Sequence, residues 1–353
     1  MAENRATADP ATVVYVSNAA SKEILVFAMD RDAGALVPIE RAPVPGTDTP
    51  SPTSMPLAIS PGHRFLYAAL RSAPFPVSSF AIDPRSGRLS HLGTAPLPDS
   101  MAYIVTDRSG RFLLGASYPG AKLAINPIDA EGRVGERPTQ VLSTRPKPHC
   151  VVVDGSNRYV YCTNLGGDLV MQLRFDAALG TVSPNAPAAI PTPVGAGPRH
   201  LAFHPNGRFL YLLNETDATL CAYAVDAGNG TLAELQTGVA SLPPDFVGKP
   251  SAADLHVTPD GRFLYASERA TSTLAAFRID AVKGTLSLLG RYPTETTPRG
   301  FAIDPRGRFL LAVGLASNAM TVYAIDPMRG SLAEVERYPL GDMPNWVEIV
   351  DFE

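Results

Sequence analysis

Residues 201–214 read LAFHPNGRFLYLLN, and this stretch decides the fold because variants of it recur along the chain. In each copy a turn rich in Pro, Gly, Asp or Asn joins two apolar runs, which predicts a β-hairpin. The arginine of the phrase stands at positions 64, 111, 158, 208, 262 and 308, so the copies are 46 to 54 residues apart. The chain is therefore built from repeats of one supersecondary unit.

A second hairpin follows in each repeat, as in AFRIDAVKGTL (276–286), where the glycine of a D-x-x-x-G turn supplies positive φ. Two hairpins make one four-stranded antiparallel sheet, whose strands we name A to D from the inside outwards. Strand B, as in FLYLL (209–213), is apolar at consecutive positions, which favours a sheet covered on both faces. Four-stranded repeats of about 40–50 residues are typical of the blades of a β-propeller.

The number of repeats predicts an all-β fold, a seven-bladed β-propeller with four-stranded antiparallel blades. Residues 13–36 supply strands B, C and D of a first blade, and PNWVEIV (344–350) has the form of a strand A. We expect the C-terminal strand to join the first blade and close the ring, which leaves no free sheet edge. Residues 1–353 then form a single propeller domain, with residues 1–11 as a flexible N-terminal tail.

The composition fits this architecture and excludes several classes of protein. The 34 prolines and 29 glycines together make up about 18 % of the 353 residues, whereas the average share of the two is about 12 %. The net charge is −4 and no basic stripe is present, so we expect no nucleic-acid partner. Three cysteines, no secretory signal and no long apolar run predict a cytoplasmic protein without a membrane span, as a monomer or weak homo-oligomer.

Positions that carry chemistry differ between repeats, whereas scaffold positions recur. Strand A begins and strand B ends at the same rim of the ring, so the variable polar residues at these points converge on one mouth of the central channel. A concave site with convergent titratable groups is the default hypothesis for an active site. The residues gathered there are His149, Asn164, Arg199, His200, Asn214, Glu215, Asp254, Glu268, Arg269 and Arg299.

A purely structural interpretation competes with this one, because propellers also place solvated polar residues around the channel. Glu215 and Arg269 could form a plain ion pair between blades. His204 aligns with turn residues of other repeats and is expected to cap a turn. His256 aligns with alanines and is expected to be a satisfied core histidine. The recurring arginines are interpreted as scaffold.

The residue types at the mouth favour an anionic ligand. The chain contains no nucleophile elbow, phosphate-binding loop, dinucleotide fingerprint or zinc spacing, so covalent and nucleotide chemistry have no support. Asn18, Asn164, Asn214 and Glu215 offer the oxygen ligands that calcium takes, but the neighbouring arginines would repel a cation. Arginines bind carboxylate or phosphate through bidentate hydrogen bonds. We therefore expect no metal and no cofactor.

Three stretches carry a resemblance to a known family: GAGPRHLAFHPNGRFLYLLNE (195–215), SAADLHVTPDGRFLYASER (251–269) and TTPRGFAIDPRGRFLLAVG (296–314). They resemble the bacterial propeller-type 6-phosphogluconolactonases, whose wider family includes fungal carboxy-muconate lactonizing enzymes. The resemblance covers essentially the whole chain and implies a metal-independent lactonase or cycloisomerase. It also implies a catalytic site formed by His149, Glu215, Arg199 and Arg269.

The implied reaction is hydrolysis of 6-phosphogluconolactone in the pentose phosphate pathway. His149 is the expected general base, with Glu215 either orienting it or taking the proton itself. Arg199 or Arg269 would stabilise the oxyanion. The expected substrate-binding residues are His200, Arg299, Asn164, Asn214, Asp254 and Glu268.

Two alternatives remain open from the sequence. The first is an enzyme that acts on an unphosphorylated sugar lactone or forms a muconate-type lactone, because carboxylate and phosphate both favour arginine. The second is a propeller that serves as a binding platform without catalysis. The sequence alone does not identify the substrate.

Overall fold

The computed structural model describes residues 11–49 and 54–352, which form seven four-stranded antiparallel sheets arranged as blades around a ring. The inner strands A of blades 1 to 7 are β28 (Pro344–Asp351), β4 (Leu57–Ile59), β8 (Tyr103–Thr106), β12 (Pro148–Val153), β16 (Pro198–Phe203), β20 (Ala252–Val257) and β24 (Pro298–Ile303). The strands B are β1 (Thr12–Asn18), β5 (Phe65–Ala69), β9 (Phe112–Ser117), β13 (Tyr159–Asn164), β17 (Phe209–Asn214), β21 (Phe263–Glu268) and β25 (Phe309–Gly314).

The outer half of each blade contains strands C and D. The strands C are β2 (Glu23–Met29), β6 (Pro76–Ile82), β10 (Lys122–Pro127), β14 (Leu169–Asp176), β18 (Thr219–Val225), β22 (Thr273–Ile279) and β26 (Ala319–Ile325). The strands D are β3 (Leu36–Pro43), β7 (Leu89–Pro96), β11 (Gln140–Ser143), β15 (Thr181–Pro191), β19 (Leu232–Ala240), β23 (Leu286–Pro293) and β27 (Leu332–Pro339). A single turn of 3₁₀-helix, Leu165–Gly167, is the helical element of the described residues, and none of them forms a helix long and apolar enough to cross a membrane.

The seven-bladed architecture is confirmed, with two corrections to the predicted boundaries. Strand D of the first blade extends to Pro43, so the predicted range 13–36 ends too early. Residues 1–10 of the predicted tail lie outside the described residues. Ala11 does not behave as a tail, because its carbonyl accepts hydrogen bonds from the Phe352 N–H (2.8 Å) and from Arg31 (2.6 Å).

The hydrophobic core of the described residues lies between the blades, as the apolar strands B and C require. One cluster joins Phe209 and Leu213 of blade 5 to Leu264 and Phe277 of blade 6, all almost fully buried. Tyrosines of strand B also form hydrogen bonds from one blade to the next. Tyr161, for example, donates its hydroxyl proton to the Gly230 carbonyl in the turn of the next blade (2.9 Å). Neighbouring sheets therefore bury each other's faces, which explains the continuous apolar pattern of strand B.

The ring closes where β28 pairs with β1. The register runs from Thr12 opposite Asp351 to Asn18 opposite Pro344, so the last strand of the chain becomes strand A of the first blade. Val347 of this closing strand is 4 % exposed and packs with core residues of blades 7 and 1. Closure thus joins the two ends of the chain by hydrogen bonds and by apolar packing.

We predict that Val347→Asp destabilises the protein by about 3 kcal/mol or more, because it buries a charge without a partner in the closing seam. Chemical unfolding of the purified variant measures this loss. The matched control is Val335→Asp on the outer strand β27, where the side chain is 40 % exposed and the free energy of unfolding should change little. Equal losses for the two variants would contradict the structural role assigned to the closing strand.

Candidate active site

A β-bulge at the start of strand A shapes one mouth of the channel. In five blades strand A carries one residue more than the strand B segment opposite to it. The register shifts between Pro148 and Val151, Pro198 and His200, Ala252 and Leu255, Pro298 and Gly300, and Pro344 and Trp346. Bulges of this kind redirect side chains and are frequent next to active sites. In four of these blades the residue directly after the first proline lines a common cleft: His149, Arg199, Arg299 and Asn345.

The cleft at this mouth is narrow, with a cavity volume of about 10 Å³, which is room for about one water molecule. Its walls are Ser54, Ala102, His149, Arg199, His200, Arg299, Asn345 and Trp346. Below the mouth the rings of Tyr103 and Trp346 meet edge to face across the channel, with centroids 5.0 Å apart. Because Trp346 is part of the cleft wall, the aromatic pair borders the site.

Glu215 holds two of the predicted catalytic arginines. Its carboxylate accepts from Arg199 Nε at 2.8 Å and pairs with Arg269 at 3.2 Å. Burial alone would raise the pKa of Glu215, but the two guanidinium groups lower it below its usual value. A carboxylate that is held ionised by two cations is a weak proton acceptor. Glu215 therefore positions the arginines, and the structure gives it no hydrogen bond to His149.

Arg199 has one nitrogen that is available to donate a hydrogen bond to a ligand. The side chain is 2 % exposed, and it donates to Glu215 through Nε and to the Ala253 carbonyl through Nη1. Its Nη2 makes no hydrogen bond to the described residues. Burial and the nearby Arg269 lower the pKa of Arg199 to about 10, which still leaves it charged at neutral pH.

Arg299 and Arg71 add positive charge without a matching acid. Arg299 lines the cleft and makes no ion pair or hydrogen bond with the described residues. Burial and the neighbouring arginines lower its pKa to about 9. Arg71, half-buried at the end of strand B in blade 2, donates only to the hydroxyls of Ser100 (3.1 Å) and Ser54 (3.2 Å). The mouth therefore has more cations than carboxylates, as an anionic ligand would require.

His149 and His200 are both buried imidazoles at the cleft. His149 is 5 % exposed, its ring centroid lies 5.1 Å from that of His200, and its Nδ1 has no partner among the described residues. Burial and the charges of Arg199, Arg299 and Arg71 lower the pKa of His149 well below its usual value. Burial and Arg199 likewise lower the pKa of His200 to about 4. Both rings are neutral at pH 7.

Asp254 connects His200 to a second histidine beneath the cleft. His200 Nδ1 lies 2.8 Å from Asp254 Oδ1, and His256 Nε2 lies 3.3 Å from Oδ2. The prediction that His256 is a core histidine is wrong, because its side chain is 40 % exposed and faces Asp254. The repeat aligns it with alanines, but its larger polar side chain extends to Asp254. By contrast His204 receives the Asn206 N–H at 3.1 Å, as expected for a turn cap.

Three predicted substrate-binding residues lie beside the cleft rather than in its wall. Glu268 accepts hydrogen bonds from the backbone of Ser251 and Thr271, so its carboxylate fixes a loop. Asn164 donates to the Cys162 carbonyl, and Asn214 donates to Thr219, which makes both part of the corner between strands B and C. These contacts place the three side chains next to the cleft, and their role in substrate binding stays a prediction.

Comparison with known proteins identifies the family of the chain. A family model described as a lactonase with a seven-bladed β-propeller matches residues 10–349. The chain belongs to this lactonase family. A 6-phosphogluconolactonase of Pectobacterium atrosepticum is 41 % identical over 292 residues, which cover 83 % of this chain and 84 % of the relative. One of Serratia proteamaculans is 38 % identical over 83 % of this chain and 85 % of its own.

A solved structure shows the same likeness in three dimensions. The periplasmic gluconolactonase of Pseudomonas aeruginosa superimposes on this lactonase with a TM-score of 0.88 at 30 % identity. The match covers 97 % of this chain and 99 % of the other. The fold and the family are therefore the same over almost the whole length.

Sequence reasoning misses three side chains of this lactonase at the mouth: Arg71, Asn345 and Trp346. Arg71 occupies the position in its repeat that Glu215 and Arg269 occupy in theirs, so the repeat alignment itself carried the signal. Asn345 follows the proline of the closing strand, as Arg199 and Arg299 follow theirs. The proximity of Arg71 to His149 and Arg299 is visible only in the structure, because the three residues lie on different blades.

We predict that the stabilising contribution of Glu215 depends on pH. Its pKa is lower in the folded protein than the usual value of 4.5, so the ionised carboxylate stabilises the fold above about pH 4.5. That contribution is lost as the pH falls towards the folded-state pKa. Glu215→Gln should therefore be less stable than the wild type by about 2 kcal/mol at pH 7, and the difference should shrink at pH 4 and below.

Urea unfolding of both proteins across this pH range measures the difference directly, because the other carboxylates cancel. Glu234→Gln, at an exposed position on β19, is the matched control and should behave like the wild type throughout. A difference for Glu215→Gln that stays constant from pH 7 to pH 3 would contradict the role of Glu215 as the anion between two arginines.

Proposed function

We propose that this lactonase hydrolyses 6-phosphogluconolactone to 6-phosphogluconate. The observation that carries the proposal is Arg299, a cation in the cleft wall that has no acidic partner among the described residues. Arg71 increases the surplus of charge, and a phosphate dianion is the ligand chemistry that offsets it best. The names of the relatives from Pectobacterium and Serratia support the same substrate.

In this proposal the two ends of the substrate contact different residues. The phosphate lies with Arg299 and Arg71, and the lactone ring extends towards Arg199 and the two histidines. A substrate held at a distant charged group gains the orientation that the reacting carbonyl needs. The aromatic pair of Tyr103 and Trp346 borders the cleft and limits how far the ring enters the channel.

Hydrolysis then requires a proton acceptor and an oxyanion donor. A water oxygen bonds to the lactone carbonyl carbon while a neutral imidazole takes the water proton. Arg199 Nη2, which the described residues leave available, donates to the oxyanion that forms. The intermediate collapses by breaking the bond from carbonyl carbon to ring oxygen, and the imidazolium returns the proton to that oxygen. Glu215 keeps Arg199 and Arg269 in place and takes no proton.

The proposed location is the cytoplasm. Phosphorylated sugars are metabolised inside cells. Cys150, Cys162 and Cys221 are buried and unpaired, which supports a reducing compartment. The monomeric or weakly oligomeric state stays a prediction.

The test of the proposed reaction is a lactone panel. Purified protein is mixed with freshly generated 6-phosphogluconolactone, glucono-δ-lactone and muconolactone, and acid release or lactone loss is followed. We expect the highest kcat/KM for the phosphorylated lactone. A preference for glucono-δ-lactone or muconolactone would transfer the proposal to that substrate, and no rate above background on any of the three would favour a binding propeller without catalysis.

Arg299→Met should raise KM for 6-phosphogluconolactone about tenfold or more, with a smaller effect on kcat, because it removes a charged hydrogen-bond donor to the phosphate. Activity on glucono-δ-lactone, which has no phosphate, should change little. Arg329→Met in an exposed turn at the opposite rim is the control and should leave both substrates unaffected. Equal losses on the two lactones for Arg299→Met would contradict a phosphate-binding role.

A further inference from the structure

The hydrogen bond between His200 and Asp254 fixes the tautomer of His200. Burial would raise the pKa of Asp254, but His256 and the hydrogen bonds from both histidines hold it far below its usual value. The backbone N–H groups of Leu255 (3.0 Å) and Phe301 (3.3 Å) also donate to this carboxylate. An ionised carboxylate only accepts hydrogen bonds, so His200 Nδ1 must carry the proton and Nε2 must carry the lone pair.

The lone pair of His200 belongs to a residue of the cleft wall and has no hydrogen-bond partner in the described part of the chain. His200 is 4 % exposed and lines the cleft, and its Nε2 is buried without a partner among the described residues. The rings of Tyr103 and His149 flank it, with centroid separations of 5.3 and 5.1 Å. A buried polar atom without a hydrogen bond is costly, and such an atom in a cleft wall marks a place where a ligand or water binds.

His149 lacks the support that a base needs after it takes a proton. No carboxylate contacts it among the described residues, and the charges that act on it are those of Arg199, Arg299 and Arg71. An imidazolium at His149 would therefore face cations only. An imidazolium at His200 would form an ion pair with Asp254 at 2.8 Å. The two rings share one cleft, but only His200 has an anion behind it.

We propose that His200 Nε2 is the general base of lactone hydrolysis and that Asp254 is its positioning residue. The inference rests on the proposed function and replaces the predicted base, His149, which becomes a neutral neighbour in the cleft wall. His200 takes one proton from the attacking water as the carbon–oxygen bond forms. It returns that proton to the ring oxygen as the lactone opens, so the histidine ends each cycle neutral.

Other titratable groups surround the pair and set its pH dependence. They come from every inner strand packed against it: Tyr103 on β8, His149 and Cys150 on β12, Arg199 on β16, His256 on β20, Arg299 on β24 and Glu348 on β28. Glu348 receives the Trp346 Nε1–H at 2.8 Å, and burial raises its pKa to about 7. Asp254 raises the pKa of His256. The pH profile of the wild type therefore reports several groups, and the comparison between variants isolates the pair.

The experiment compares His200→Gln, Asp254→Asn and His149→Gln with the wild type on 6-phosphogluconolactone. We expect His200→Gln to lower kcat by about 10²–10⁴-fold with KM within about threefold. Asp254→Asn should lower kcat by about 10²-fold or more, because an amide can donate to Nδ1 and move the proton to Nε2. His149→Gln should lower kcat by less than His200→Gln. His63→Asn, in an exposed turn, is the control and should retain full activity.

Nitrogen-15 NMR of histidine-labelled protein supplies a readout that is independent of turnover. We expect the His200 signal, assigned by its loss in His200→Gln, to show the neutral ring with the proton on Nδ1 in the wild type and not in Asp254→Asn. Circular dichroism and thermal melting show that each variant is folded, and Asp254→Glu should recover part of the activity if Asp254→Asn is inactive.

The outcomes separate the two proposals. If the wild type is active and His200→Gln keeps kcat within threefold while His149→Gln loses it, His149 is the base and this inference alone is overturned. A wild-type His200 ring protonated on Nε2 would overturn it as well. If the wild type hydrolyses no lactone, the proposed function fails and the assignment of a base fails with it.

Discussion

The common direction of the seven inner strands is the constraint on which the rest of this lactonase depends. All strands A start at the same mouth, because each is followed by a hairpin back along its own blade. In five of the blades strand A begins with a bulge, and the bulge residues His149, Arg199 and Arg299 line the cleft. A cleft with groups from several blades follows from repetition of one local geometry.

Repetition also determines how much the sequence could predict. Recurring hairpins predicted the blades, the ring closure and the mouth, because these depend on local patterns of apolar residues and turns. Variation at aligned positions identified His149, Arg199 and Arg299 as cleft residues. Pairing across blades was considered for Glu215 and Arg269 alone, as a purely structural alternative. The contact of Glu215 with Arg199 and that of His256 with Asp254 were not predicted, because they depend on the arrangement of the blades in space.

The charges at the mouth account for the chemistry better than any single residue. Buried guanidinium groups without counter-ions are costly in the free protein, and an anionic substrate removes that cost when it binds. Burial, together with the same positive charges, lowers the pKa of the two cleft histidines and keeps them neutral, which is the form that accepts a proton. One carboxylate, Glu215, holds the arginines, and a second, Asp254, stands behind His200. In the proposed mechanism, one group of residues binds the charged substrate and another transfers the proton.

The most direct test of this account is a crystal structure with the product 6-phosphogluconate bound. The phosphate is expected beside Arg299 and Arg71, with the newly formed carboxylate near Arg199 Nη2 and within hydrogen-bond reach of His200 Nε2. The structure would contradict the account if the product bound at another face of the propeller, or in the cleft with its carboxylate at Arg299 and Arg71 and its phosphate turned out to solvent.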